Sequence, residues 1–246
     1  MLKPIFIAHR GYASVFPENT LVALDEARLA GAQYIEVDIQ LTSDHIPVLF
    51  HDRDLRRLCQ QTGTIHDYSF SELEEFFVTD AEKFADKYAD NKITSLSLLL
   101  KYLKEYPALN AFIELKRLMI DTFGEKKVLE TLLPLFEGME NRISFISYNQ
   151  TILQTIDNET DFSVGVVIDQ WDEYKQKKSF IPEWLFCSAE GLPEDNNEIE
   201  KIEAKIAVFE VGNIGLAKHL LAKGIKYLET FRIKEMLDAF SEENKK

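Results

Sequence analysis

Disulfides, a membrane span and a surplus of positive charge are all missing from this chain. Cys59 and Cys187 are the only cysteines, far apart and in unlike contexts. They read as buried or incidental thiols rather than as a disulfide or a thiolate metal centre. No apolar stretch approaches the roughly 20 residues that a membrane helix needs. The opening MLKPIFIAHRG lacks the apolar core of a signal peptide, because its apolar run stops at His9, so the cytoplasm is the expected location. The formal charge of −14 argues against a nucleic acid as main partner, since its phosphates would be repelled. An anionic substrate then requires a local cation or basic pair.

What is present is the composition of a soluble enzyme or binding protein, with 46% hydrophobic and 28% charged residues. A length of 246 residues is ordinary for one α/β barrel and can bury a sizeable core unaided. Short β-branched runs alternate with helical patterns from end to end. Strands are predicted at 5–8, 34–40, 111–115, 143–147, 163–168, 184–187, 205–209 and 225–229. Helices are predicted near 20–30, 94–105, 125–136, 149–158, 171–178, 195–204, 213–223 and 232–243. The first has Asn19 or Thr20 as its N-cap and ends at Gly31. Eight such units point to a (β/α)8 TIM barrel, a single domain over 1–246, rather than an open doubly wound sheet. Residues 53–92 break the alternation. They are too long and polar for an ordinary connection and read as an insertion after the second strand, with short helices near 71–77 and 80–88. Such a segment is expected to cap one side of the barrel mouth, with Phe70, Phe76, Phe77 or Tyr88 in its packing.

In YIEVDIQL, Ile35, Val37 and Ile39 alternate with Glu36, Asp38 and Gln40, so both carboxylates share one strand face. In a barrel the apolar face packs on the helices, and the acids face inward. The same pattern recurs in FIELKR, where Glu114 and Lys116 lie opposite Ile113 and Leu115. Buried ionised carboxylates need compensation, and a hard cation held by Glu36, Asp38 and Glu114 accounts for all three acids. QLTSDHIPVLFHD reads as a hairpin turning at Asp44 and His45, which returns His51 roughly opposite Asp38. His9 and Arg10 end the neighbouring strand. Two histidines, three acids, one arginine and one lysine thus converge at the C-terminal mouth, where barrel enzymes do chemistry. His45, His66 and His219 read as structural or surface residues.

These motifs, His9-Arg10-Gly11, Pro17-Glu18-Asn19-Thr20, Glu36-Val37-Asp38, His51-Asp52 and Glu114-Leu115-Lys116, make the chain resemble the glycerophosphodiester phosphodiesterases. The resemblance is strong over 5–57 and 111–117 and fades afterwards. It implies a TIM barrel with a small insertion after the second strand, and cleavage of glycerophosphodiesters to glycerol 3-phosphate and an alcohol. It implies His9 and His51 as general acid and base, and Glu36, Asp38 and Glu114 as ligands of one divalent cation, Mg²⁺ or Ca²⁺. Arg10 and Lys116 would contact the phosphate, while Glu18 and Asn19 brace the rim. The implied partner is a small-molecule glycerophosphodiester, with no nucleic acid and no membrane span.

The chain departs from the family pattern at Ile93-Thr94-Ser95-Leu96-Ser97, where a P-T-L-x-E is frequent, and at Phe209-Glu210-Val211-Gly212, where W-x-V-N is. It departs again at Thr230-Phe231 in place of T-D, and at Ser147-Tyr148 in place of Ser-Phe. These changes fall on the pocket wall and bear on which alcohol leaves. Two other readings compete: phospholipase-D-like cleavage of lysolipid head groups, and a non-catalytic barrel that binds phosphodiesters.

Overall fold

The eight runs read as strands all form strands, and each finds parallel neighbours. In the computed structural model, which describes residues 2–85, 87–88, 90–176 and 180–243, nine strands occur in chain order. They are β1 (Ile5–His9), β2 (Tyr34–Leu41), β3 (Pro47–Leu49), β4 (Asn110–Leu115), β5 (Ile143–Ser147), β6 (Ser163–Ile168), β7 (Trp184–Cys187), β8 (Lys205–Val208) and β9 (Tyr227–Thr230). β1 pairs in parallel with β2 on one side and β9 on the other, which closes eight strands into a barrel. The ninth, β3, lies antiparallel to β2 beyond the part that pairs with β1, with Ile39 opposite Leu49 and Leu41 opposite Pro47.

The outer layer contains α1 (Leu21–Leu29), α5 (Leu96–Glu105), α6 (Arg117–Phe123), α7 (Glu125–Leu132), α8 (Gln150–Glu159), α9 (Trp171–Gln176), α10 (Asn196–Glu200), α11 (Ile214–Ala222) and α12 (Ile233–Glu243). Between β3 and α5, the insertion adds α2 (Arg56–Cys59), α3 (Phe70–Leu73) and α4 (Ala81–Phe84). No helix among the described residues is long and apolar enough to cross a membrane.

Period-two alternation divides the barrel cleanly. Ile35, Val37 and Ile39 pack outward with Leu24, Ala27, Leu99 and Leu103 of the helices. Ile7, Phe112, Ile146, Val167, Trp184, Phe186, Ala207 and Tyr227 fill the barrel's interior, so it is plugged rather than open. Each fully buried Leu or Ile contributes about 1.5–3 kcal/mol by leaving water. One step further along β1, β2, β4 and β9, the inward residue becomes polar.

Several helices differ from the sequence expectation. α6 was not anticipated. The pattern over 125–136 is α-helical only to Leu132 and then tightens into a 3₁₀ turn to Phe136, because Pro134 has no N–H to continue the α ladder. The pattern over 195–204 is helical only over Asn196–Glu200, since the chain must straighten into β8 at Lys205. Of 171–178, the part beyond residue 176 lies outside the described residues.

The insertion is less polar inside than its composition implied. Leu55, Leu58, Cys59, Ile65, Leu73, Val78 and Ile93 form an apolar cluster with Val48 and Phe50, separate from the helix-facing core. The expected helix over 71–77 stops at Leu73, because Phe77 bridges to Lys92 and the Val78 N–H donates to the Asn91 carbonyl at 2.7 Å. The one expected over 80–88 covers only Ala81–Phe84; within that stretch residue 86 lies outside the described residues. Phe70 and Phe76 pack on the cluster as expected. Phe77 does not: it is 41% exposed, with Lys92 Nζ 3.6 Å from its ring centre. Tyr88 packs edge-on against Phe84 of the insertion, as expected, and also reaches Phe16, with its hydroxyl donating to the Val15 carbonyl at 2.8 Å.

The turn from β1 to α1 carries the sharpest steric demand. Gly11 has φ +84°, and a Cβ there would sit 2.6 Å from the Ala23 carbonyl carbon. Thr20, rather than Asn19, is the N-cap, its Oγ1 accepting from the Ala23 N–H. A Gly11→Ala variant must adopt a left-handed backbone and displace α1, so it should lose about 3 kcal/mol of stability. A urea unfolding curve coincident with that of the parent would contradict this steric account.

Candidate active site

His9, Glu36, Asp38, Glu114 and Glu229 are where strand alternation continues inward above the apolar plug. Ile7 is followed by His9, Tyr34 by Glu36 and Asp38, Phe112 by Glu114, and Tyr227 by Glu229. Cross-strand register brings them level: His9 lies opposite Glu36, and Asp38 opposite Glu114. His51 returns from the hairpin one residue beyond the expected pairing, because it is the Phe50 N–H that donates to the Asp38 carbonyl at 3.0 Å. Both histidines, Arg10, Glu36, Glu114 and Lys116 line one cavity of about 120 Å³ at the C-terminal mouth. A larger groove of about 780 Å³ lies under the opposite end, around Asn110, Arg142 and Trp184, away from these groups.

Asp38 is the best compensated acid. Lys116 Nζ lies 3.2 Å from its Oδ1 and Arg10 Nε 3.1 Å from its Oδ2, while Asn19 Nδ2 donates to Oδ2 at 2.8 Å. Burial alone would raise its pKa, but Lys116 and Arg10 hold it well below the usual carboxylate range. Lys116 also reaches Glu114 Oε1 at 2.8 Å. Burial would lower the Lys116 pKa, yet Asp38 and Glu114 raise it above the ordinary lysine value, so it stays charged.

Glu36 and Glu229 are in the opposite condition. Glu36 Oε2 accepts the Arg10 backbone N–H at 3.1 Å, but its Oε1 is buried without a hydrogen-bond partner, as is Glu229 Oε1. Burial first, then neighbouring carboxylates, pushes both pKa values well above the carboxylate norm. One oxygen each from Glu36, Asp38 and Glu114 lie within 4.8 Å of one another. A hard cation suits such a set, because it would satisfy the orphaned Glu36 oxygen and the repulsion between the acids.

The two imidazoles sit in different surroundings. His9 is buried, with Nε2 3.7 Å from Glu36 and Nδ1 3.9 Å from Glu229. Phe231 stacks on its ring with centroids 4.3 Å apart. Desolvation and the nearby Arg10 lower its pKa well below 6.5, so it is neutral at neutral pH and able to take a proton. His51 is half-buried and donates Nδ1–H to Asp52 at 2.9 Å, which leaves Nε2 for proton exchange. Gln40 fixes that loop by donating to the Phe50 and Asp52 carbonyls at 3.0 and 2.8 Å. Arg10 and Lys116 line the cavity while engaged with carboxylates: Arg10 Nη1 donates to Glu18 at 2.9 Å.

Three site residues escaped the sequence reading. Glu229 was detectable in KYLET, where it shares a face with Tyr227 opposite Leu228. Arg57, in the insertion, bonds both Glu18 and Asp52. Phe231 was noticed only as a departure from the family pattern, without its place on His9.

A plugged parallel barrel with histidines and carboxylates converging on its C-terminal rim has the architecture of a barrel enzyme. Residues 9–212 match the glycerophosphoryl diester phosphodiesterase family, and the chain belongs to it. It is 39% identical over 90 residues to glycerophosphodiester phosphodiesterase 1 of Homo sapiens, covering 37% of this chain and 27% of the human protein. It is 31% identical over 157 residues to a glycerophosphodiester phosphodiesterase of Caldanaerobacter subterraneus, covering 63% of this chain and 62% of that one. The match thus spans less than two thirds of either curated relative. Among solved structures, a phosphodiesterase of Oleispira antarctica in complex with the product sn-glycerol-3-phosphate superposes with a TM-score of 0.84. The superposition covers 97% of both chains at 22% identity, which supports the shared fold.

The two best-defined acids should respond oppositely to neutralisation in chelator. Asp38→Asn leaves Arg10 and Lys116 without their shared partner and should cost about 3 kcal/mol. Glu36→Gln removes an uncompensated carboxyl and should leave stability equal or higher. Thermal unfolding of both variants checks this, and equal losses would refute the charge assignment.

Proposed function

We propose that the chain hydrolyses glycerophosphodiesters to glycerol 3-phosphate and an alcohol, with His9 and His51 as the acid–base pair. The observation that carries this reading is the convergence of both imidazoles with Arg10 and Lys116 on one acid-lined cavity. Phosphodiester cleavage needs one proton removed from the nucleophile and one delivered to the leaving alkoxide, and it needs cover for the non-bridging oxygens. Neutral His9 suits the first, taking a proton from the nucleophile. Nε2 of His51, its ring oriented through Asp52, suits the complementary one. Arg10 and Lys116 supply fixed positive charge beside the phosphate. Membership of the family and the glycerol phosphate product held by the Oleispira antarctica phosphodiesterase support the substrate class.

Glu36, Asp38 and Glu114 would hold one divalent cation, Mg²⁺ or Ca²⁺. When bound, it would neutralise negative charge developing on the phosphoryl oxygens. Among the described residues, the carboxylates Glu18, Glu36, Asp38, Asp52, Glu114, Glu210 and Glu229 outnumber the permanent cations Arg10, Arg57 and Lys116 that pair with them or line the same cavity. Tyr148, Phe209 and Glu210 line the same cavity and would meet the departing alcohol.

The assay is release of glycerol 3-phosphate from glycerophosphocholine, followed with and without chelator. Chelation should abolish turnover and added Mg²⁺ or Ca²⁺ should restore it. His9→Ala and His51→Ala should each lower kcat by about 10²–10⁴. Near-parental turnover in either variant, or full activity in chelator, would contradict the proposal.

Cation affinity should also depend on pH. Burial raises the Glu36 pKa, so the metal-free protein holds a proton there that competes with the cation. Raising the pH removes that competitor and should tighten binding until the carboxyl is already ionised. Titration calorimetry in two buffers of different ionisation enthalpy reads the released proton, and buffer-independent heats would rule it out.

A further inference from the structure

Arg57 belongs to the insertion, yet its guanidinium leaves the insertion's own apolar cluster for the rim of the barrel. Its neighbours Leu58 and Cys59 are buried in that cluster. The Leu58 carbonyl is tied down by the backbone N–H groups of Thr79 and Asp80, at 2.9 and 3.2 Å. On the other side, Arg57 Nε and Nη2 donate to Asp52 Oδ2 and Oδ1, both at 2.7 Å. Nη1 and Nη2 donate to Glu18 Oε2 and Oε1 at 2.9 and 2.8 Å. One planar fork therefore grips two carboxylates, both oxygens of each. Asp52 then fixes the His51 ring through Nδ1, and Glu18 fixes Arg10 through Nη1.

We propose that Arg57 is a positioning residue that sets His51 and Arg10 in register across the mouth, and that this is the insertion's contribution to the reaction. Lysine does not substitute for it, because an ammonium is a point charge and cannot present two parallel donors to each of two acids. Burial works against charge on this network, but the bonds from His51 and Arg57 keep Asp52 ionised. An ionised Asp52 can only accept, so it holds His51 in the tautomer with hydrogen on Nδ1. The two functional groups lie on different segments, one after β1 and one after β3. A rigid link between them fixes the proton-transferring group relative to the phosphate-contacting one, and small misplacements of such groups are costly.

The proposal rests on His51 and Arg10 acting at a phosphodiester, so its test includes a readout that needs no turnover. Arg57→Ala, Arg57→Lys, Asp52→Asn and the Arg57→Ala/Asp52→Asn double variant are compared in the full chain with saturating cation. Arg57→Ala should lower kcat about 10–100-fold on glycerophosphocholine, and Arg57→Lys should recover only part of that loss. The double variant should be within about twofold of the worse single one, because both act through one contact. Methylguanidinium at a non-denaturing concentration should restore kcat in Arg57→Ala.

Nitrogen-15 NMR of the imidazoles should show one His51 tautomer in the parent and a mixture in Arg57→Ala. The melting temperature confirms folding; if Arg57→Ala unfolds, Arg57→Gln carries the same comparison. Unchanged kcat, fully multiplicative losses or an unchanged tautomer in the variant would overturn the clamp. A parent inactive on phosphodiesters whose His51 tautomer still depends on Arg57 would overturn the proposed activity and leave the clamp standing.

Discussion

Strand periodicity imposes the constraint on which this site depends: inward residues beyond the apolar plug are largely shielded from bulk solvent. Four carboxylates occupy such positions, on Glu36, Asp38, Glu114 and Glu229, and three of them are almost fully buried. Burying an ionised carboxylate without compensation is prohibitively costly. The chain answers it unevenly. Asp38 has Arg10 and Lys116 beside it and accepts from Asn19, so even its Oδ1, which makes no hydrogen bond, faces a cation. The orphaned oxygens of Glu36 and Glu229 have no such ion pair among the described residues. That uneven compensation leaves net negative charge at the mouth, which a cation would offset.

The same charge balance links the insertion to the barrel. The insertion's apolar cluster gives Arg57 a fixed base, and Arg57 gives Glu18 and Asp52 their counter-charge. From there, hydrogen bonds reach His51 and Arg10. Phe231, which follows β9 and shares a pocket with Arg57, Asp52 and Glu18, covers the His9 ring. The site is thus held by elements distant in sequence.

The barrel was legible because short apolar runs, several with a two-residue alternation, recur between segments with a three-to-four-residue helical period. Glu36, Asp38 and Glu114 stood out for the same reason: several alternations in Tyr34–Leu41 and Asn110–Leu115 set the acids against apolar partners. Glu229 lies in a four-residue strand, where Tyr227 and Leu228 give only a single alternation to set it against. Arg57 sits in RDLRRLC, where a charge reads as a solvated face, and nothing local announces that it reaches Asp52 and Glu18. The insertion's apolar residues are spread through irregular chain, so they had no spacing by which to be recognised as a core. Short-range periodicity carries the scaffold, whereas bonds between distant segments set the detailed electrostatics.

The central claim is that Glu36, Asp38 and Glu114 at the mouth form a cation site. Anomalous X-ray scattering from crystals soaked in Mn²⁺, an oxygen-seeking divalent ion visible by its absorption edge, tests it most directly. The account predicts one anomalous peak bonded by Glu36, Asp38 and Glu114, lost in the Glu36→Gln variant. Two other groups, His9–Glu36–Glu229 and Glu18–His51–Asp52, have ligand atoms comparably close. A peak at either of those in place of the first, or no peak at the mouth, would contradict it.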